Sequence, residues 1–284
     1  MISPFIRGGY HAFVLPLMQG FVGQRVFTID RASTPLAVSG AHPDSEDIIK
    51  IQENATAASD APESNGRRDF LITLISRRSI MRPGLRYLRR GVDDNGSTAN
   101  SVETEQILSK PSWRPSDKVY SFTQVRGSIP LYFSQSPYSF KPVPVLQHSF
   151  EINHVAFKEH FKDLVSRYGV MQIALLVDKH GGEAQIGEEY ERHTKKLNDD
   201  NGISGTKIGF EWFDFHAVCR GMKFENVSLL MESLASTLDS FGGTVEVEGK
   251  LRTRQSGVLR TNCMDCLGEY NICRTLHVAR CTLY

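Results

Sequence analysis

Arg260-Thr261-Asn262-Cys263-Met264-Asp265-Cys266-Leu267, close to the C-terminus, is the stretch on which the fold turns. The residues just before it, Ser256 to Arg260, read as the end of a strand. A thiol placed directly after a strand, in a turn leading toward a helix, sits where backbone N–H groups converge on an anion. Cys263 and Cys266 also form a C-x-x-C pair, which by itself fits redox chemistry or half of a zinc site. A second matched pair is missing, because Cys273 and Cys281 are spaced too far apart, and nothing around the pair looks like a thioredoxin-type unit.

Working outward, the chain before this stretch alternates helix and strand. Ile152, Val155, Ala156, Phe157, Leu164 and Val165 recur at helical spacing, with Gly169 as the stop. Residues 171–177 form an apolar strand and 188–197 a helix ended by the polar turn at 198–202. Residues 207–214 form a strand, and 224–241 a helix with Val227, Leu230, Met231, Leu234 and Leu238 on one face. These stripes are core. Alternation of this kind predicts an α/β protein with a mixed sheet flanked by helices and the Cys loop after a C-terminal strand.

Toward the N-terminus, Phe70 to Ile75 reads as a buried strand. Six arginines follow it: Arg77, Arg78, Arg82, Arg86, Arg89 and Arg90, interleaved with apolar residues. Such a run is often no more than a solvated basic face, yet arginine is also the side chain suited to bidentate phosphate contact. Residues 39–68, rich in Ala, Ser, Asp, Glu, Asn and Pro, read as a flexible polar insertion.

Composition narrows the classes. With 284 residues, 40% hydrophobic and 23% charged, and a net charge of +1, the chain is no polyelectrolyte, so nucleic acid is not an expected partner. Five cysteines in no paired framework favour a reducing compartment. No 18-residue apolar window is present, so no transmembrane segment is expected.

The chain closely resembles the Sac family of phosphoinositide phosphatases. Its signature, a C-x5-R loop usually written RTNCMDCLDRTN, is matched without a gap by the eight residues from Arg260 to Leu267. Residues 13–21 are similar to an LPLIQGF-like family segment, 77–107 to the arginine-rich block ending in VETEQI, and 122–133 to a Q-x-R-G-S-x-P segment. Residues 212–216 resemble an F-x-D-F-H box, with Trp212 at its first position, and residues 211–213 with 223–227 look most like the synaptojanin-type branch. The resemblance implies that residues 1–38 begin the catalytic region with the N-terminal lobe largely missing, and that 69–267 carry the remainder. Residues 268–284 form a tail without family similarity.

The implied chemistry is metal- and cofactor-free. Cys263 as thiolate attacks the headgroup phosphorus to form a phosphocysteine, Asp265 protonates the leaving oxygen, and water completes the hydrolysis. A thiol that titrates at about 8.5 in water must be acidified by its loop. Arg77, Arg78, Arg86, Arg126, Asn262, Asp214 and His216 are the candidate substrate-binding residues, and Asn100, Glu103 and Glu105 the polar anchors for the arginines. Partners are phosphoinositide headgroups at membrane surfaces, with a cytoplasmic, peripheral location on endomembranes or the plasma membrane.

The match breaks after Leu267. Gly268 and Glu269 stand where the family has Asp and the phosphate-gripping Arg, and Arg274 falls too late to substitute. A carboxylate at 269 repels a phosphate dianion and disfavours the thiolate. The expectation is impaired catalysis, leaving a silent phosphoinositide binder or a fragment without function as alternatives. Because Gly-Glu can be encoded by a splice-donor sequence, the tail from Gly268 to Tyr284 is also expected to be translated intron or a gene-model error.

Overall fold

The computed structural model describes residues 20–30, 67–84, 88–114, 116–139, 142–221 and 223–264. Nine strands among them form one mixed sheet in the order β1-β2-β3-β4-β11-β7-β8, with β9 and β10 attached through β4. The antiparallel wing comprises β1 (Gly20–Asp30), β2 (Arg67–Arg78), β3 (Val102–Ser109) and β4 (Lys118–Arg126). The short strands β5 (Phe133–Ser134) and β6 (Val145–Leu146) pair separately.

The parallel half joins β4 to β11 (Gly257–Asn262), β7 (Val170–Leu175) and β8 (Gly209–Trp212). Parallel strands need covering on both faces, and helices supply it. On one side α1 (Phe150–Tyr168) and α2 (Ala184–Asp199) bury Phe157, Phe161, Ile186, Tyr190 and Leu197 against Val125, Ile173 and Val258. On the other, α3 (Phe215–Val218), α4 (Val227–Ser233) and α5 (Ala235–Phe241) pack against Phe122, Leu176 and Leu259. Completing the sheet, β9 (Thr244–Val247) pairs with both β4 and β10 (Lys250–Thr253). The mixed α/β architecture expected from the alternation is present.

Local departures have physical causes. The buried stripe of α1 is Asn153, Ala156, Phe157, His160, Phe161 and Leu164, whereas Ile152 and Val155 are exposed. Two polar residues enter that stripe because their side chains are bonded: Asn153 accepts from Tyr132 N at 2.7 Å, and His160 Nδ1 meets Gly96 O at 2.7 Å. Gly169 stops the helix at φ 81, where a Cβ would sit 2.3 Å from Ser256 O. The helix read over 224–241 is broken into a 3-10 turn (Phe224–Asn226), α4 and α5, while its five apolar residues are all buried. Of the strand read as fully buried, only Leu74 is, because β2 belongs to the antiparallel wing and keeps a partly open face. β2 begins at Arg67, so the polar insertion ends before 68; the remainder of that insertion, 39–66, lies outside the described residues, as does the tail.

Candidate functional site

Strand register gathers the sequence-predicted residues at one end of the sheet. Arg78 lies opposite Val102, Val102 opposite Arg126, Arg126 beside Thr261, and Thr261 beside Ala174, which pairs with Glu211. This row runs along the carboxyl ends of β4, β11, β7 and β8, where open α/β sheets form their ligand crevice. Cys263 follows the last residue of β11, which like β7 has parallel neighbours on both sides. The residue before it, Asn262, accepts the Leu176 N–H through its backbone oxygen at 2.7 Å, which holds the start of the loop to the end of β7.

Alternation along β11 then divides the candidates between two faces. Leu259 and Cys263 belong to the core beneath α3–α5, and Cys263 is 4% exposed. Arg260 and Asn262 point to the other face. Asn262 is fully buried; its amide donates to Gly127 O at 2.7 Å and Ser128 O at 3.3 Å, and its carbonyl accepts from Tyr190 Oη at 2.9 Å. The side chain therefore braces β11 against α2 and the turn after β4. Arg126, paired in register with Thr261, shares the Cys263 face and is half-buried.

Arg77 sits in register with Glu103, which is opposite Val125, on the α1 face. Its guanidinium donates to Glu103 at 2.9 Å and Glu105 at 2.5 Å, so the acidic anchors expected from the sequence hold it. Tyr168 also donates to Glu103, and burial, then this bond, pushes the phenol well above its usual range. Arg77 and Arg78 line a cavity of ≈ 320 Å³ on this face together with Thr98, Glu103, His160 and Arg167. Arg78 donates to Gly84 O at 3.0 Å and to Asn100 Oδ1.

Asp214 and His216 stand at the end of β8. Asp214 caps α3, accepting Ala217 N–H at 2.9 Å and Lys179 N–H at 3.0 Å, and so links the loops after β7 and β8. His216 is exposed, its Nδ1 2.7 Å from Asp178 Oδ1. Arg86 and Asp265 lie outside the described residues, with Cys266, Gly268 and Glu269.

Sequence reading passed over three groups here. Arg90 is buried, donating from Nε to Gln135 Oε1 at 2.8 Å and from Nη1 to the Met264 carbonyl at 2.7 Å, one residue past the thiol. Arg260 is 1% exposed and donates to Ser128 O at 3.0 Å. Asp178 is the third. Gly127 permits the close approach of the turn: a Cβ would stand 2.9 Å from Thr98 Oγ1 and 3.5 Å from Arg260 Nη1. The alternating Arg–apolar text could have singled out Arg90, since it is the last arginine of the run and directly precedes Gly91 at φ 68. Nothing local marked Asp178.

A buried cysteine just past the carboxyl end of a parallel strand, with the next residue's carbonyl held by a buried arginine, defines a mixed α/β protein with a strand-to-loop thiol site. The chain belongs to the SacI homology domain family, whose pattern matches residues 1–220. It is 34% identical over 260 residues to the phosphatidylinositide phosphatase SAC2 of Homo sapiens, covering 92% of this chain and 21% of that protein. It is 38% identical over 210 residues to the phosphatidylinositol-3-phosphatase SAC1-B of Danio rerio, covering 73% of this chain and 34% of the relative. The SAC1 phosphatase of Saccharomyces cerevisiae is 38% identical over 222 residues, covering 73% and 33%. The chain thus spans a fifth to a third of the length of these relatives. The synaptojanin-type assignment is finer than these matches carry. No helix among the described residues is long and apolar enough to cross a membrane.

Proposed function

We propose that this chain carries the catalytic region of a phosphoinositide phosphatase that removes a monophosphate from phosphatidylinositol phosphates such as phosphatidylinositol 4-phosphate. The observation that carries the reading is Cys263 directly after β11, with Arg126 in the adjacent strand position on the same face. The thiolate attacks phosphorus, the bond from phosphorus to the inositol oxygen breaks, and Asp265 hands that oxygen its proton. Water then attacks the phosphocysteine, releasing phosphate and the thiolate. Arg126 and the loop N–H groups counter the charge on the phosphoryl oxygens. Arg90 acts as a positioning residue through the Met264 carbonyl, and Asn262, Asp214 and Arg77 hold the surrounding turns. The enzyme works at the cytoplasmic face of a membrane, bound peripherally.

Catalysis in this chain is reduced, because Glu269 replaces the guanidinium that the family loop directs at the phosphate. The same substitution favours a second reading, a silent phosphoinositide binder. Incubation with short-chain phosphatidylinositol 4-phosphate and 3-phosphate, acid quench and peptide mass spectrometry distinguishes them. A phospho-adduct on Cys263 supports the enzyme reading and its isomer preference. Saturable binding without any adduct supports the silent binder, and absence of both adduct and binding overturns both readings.

A further inference from the structure

The connection between β2 and β3 has a feature that the phosphatase reading leaves unused. Ile80, Met81 and Leu88 are 78%, 67% and 66% exposed. Single exposed apolar residues are ordinary. Here three share one connection with Arg78, Arg82 and Arg89. Exposures this high leave most of each side chain in solvent, although Ile80 and Met81 also border the cavity lined by Arg77 and Arg78.

The two limbs of this connection, 78–84 and 88–90, are held together. Arg78 Nη2 donates to Gly84 O at 3.0 Å and Arg82 Nη2 to Arg90 O at 3.2 Å. A Cβ on Gly84 would stand 2.4 Å from the Arg89 Cβ, so the limbs touch. Ser79 N–H donates to Ser101 O at 2.8 Å and Asn100 N–H to Arg82 O at 3.3 Å, tying the first limb to the start of β3. The apolar side chains thus project from a braced surface.

Its place in the fold is informative. Arg78 belongs to the strand-end row that contains Arg126 and Thr261, and Arg90 holds the Met264 carbonyl. The apolar side chains therefore stand at the same end of the sheet as Cys263. Arg78 and Arg89 are exposed; Arg78 is bonded to the neutral oxygens of Gly84 and Asn100, which leave its charge intact. Among the described residues, Asp93 pairs with Arg82 at 4.0 Å.

We propose that Ile80, Met81 and Leu88, with Arg78 and Arg89, form a membrane-insertion patch that seats the crevice end of the sheet on a bilayer containing anionic lipid. Apolar side chains enter the boundary between headgroups and acyl chains while arginines snorkel to the phosphates, and each contribution is weak without the other. The inference deepens the phosphoinositide phosphatase reading by naming what brings the crevice to its lipid, but its physical basis is the surface alone.

The test is co-sedimentation with phosphatidylcholine–phosphatidylserine vesicles, which hold no phosphoinositide. The parent chain is compared with Ile80→Ser/Met81→Ser/Leu88→Ser, with Arg89→Gln, and with Trp113→Ser. Trp113 is 51% exposed beside Arg114 in the β3–β4 connection, at the opposite end of the sheet. The parent is expected to bind in a salt-sensitive way, the triple variant to bind about tenfold or more weakly, and Arg89→Gln to bind severalfold more weakly. Trp113→Ser is expected to match the parent. A Leu88→Trp variant, checked for native circular dichroism, adds a direct readout: its fluorescence is quenched by brominated acyl chains if the side chain inserts. Equal vesicle binding by parent and triple variant, or absence of quenching, overturns the proposal. So does vesicle binding that requires added phosphatidylinositol 4-phosphate and is unchanged in the triple variant. Phosphate release from monomeric short-chain substrate is scored separately, so failure of the patch and failure of the phosphatase reading are distinguishable.

Discussion

Replacing Asn262 by Ala removes three hydrogen bonds from a fully buried position: those to Gly127 O at 2.7 Å, to Ser128 O at 3.3 Å and from Tyr190 Oη at 2.9 Å. At about 1 kcal/mol per buried bond the loss comes to about 3 kcal/mol. With a urea slope of about 3 kcal/mol per molar, the midpoint falls by about 1 M. The same account requires coupling to Tyr190. In a Tyr190→Phe background the bond to the phenol is already gone, so Asn262→Ala costs about 1 kcal/mol less there. Urea titrations followed by circular dichroism on the parent, both single variants and the double variant measure both quantities. A midpoint shift below a third of that size, or strict additivity of the two substitutions, would show that Asn262 is not a brace. A variant that kept full stability yet lost affinity for short-chain phosphoinositide would return it to the substrate-binding role suggested by its place in the motif.

Arg90→Ala frees the Met264 carbonyl and is expected to cost about 2 kcal/mol and to speed alkylation of Cys263, followed by peptide-resolved mass spectrometry; an unchanged labelling rate would refute its positioning role. Gly127→Ala pushes a methyl to 2.9 Å from Thr98 Oγ1 and 3.3 Å from Ser101 Cα, for an expected loss of about 1–3 kcal/mol in denaturant titrations. Burial, then the nearby Arg260 charge, holds His160 well below the ordinary histidine range, and burial with His154 beside it brings His193 down to about 4. Both bind fewer protons folded than unfolded, so stability is complete above the unfolded value of about 6.5 and falls as pH drops below it, by up to about 1.4 kcal/mol per pH unit for each residue. For His193 the loss continues to about pH 4. His193→Gln is expected to flatten that slope in urea midpoints measured between neutral and acidic pH, and an unaltered slope would contradict the assignment.

The apolar periodicities carried the fold well where burial is one-sided and regular. Val227, Leu230, Met231, Leu234 and Leu238 were legible as one face because every one of them joins the buried cluster that includes Phe122 and Leu259. The face of α1 was less so, since Asn153 and His160 enter the core on bonds to Tyr132 and Gly96, residues distant in sequence. The Cys263 loop and the strand before it were legible from local text alone. Pairing was not: that Arg77 is held by Glu103 and Glu105 depends on β2–β3 register, although the opposite charges sit in one stretch of sequence. Asn262 could not be separated into brace or ligand contact without knowing that β11 lies between β4 and β7. Arg90 and Asp178 gained their meaning from loops that meet only in the folded chain.

The central claim is that Cys263 is a phosphatase nucleophile whose loop is disabled at Glu269. Phosphate release from short-chain phosphatidylinositol 4-phosphate tests it most directly, in three forms of the protein: the chain as given, Cys263→Ser, and a version whose residues 268–284 are replaced by Asp-Arg-Thr and a family-like helix. The account predicts little or no release by the first two and clear turnover by the third, abolished when Cys263→Ser is added to it. Strong turnover by the chain as given would contradict the role assigned to Glu269, and a silent repaired version would contradict the phosphatase assignment itself.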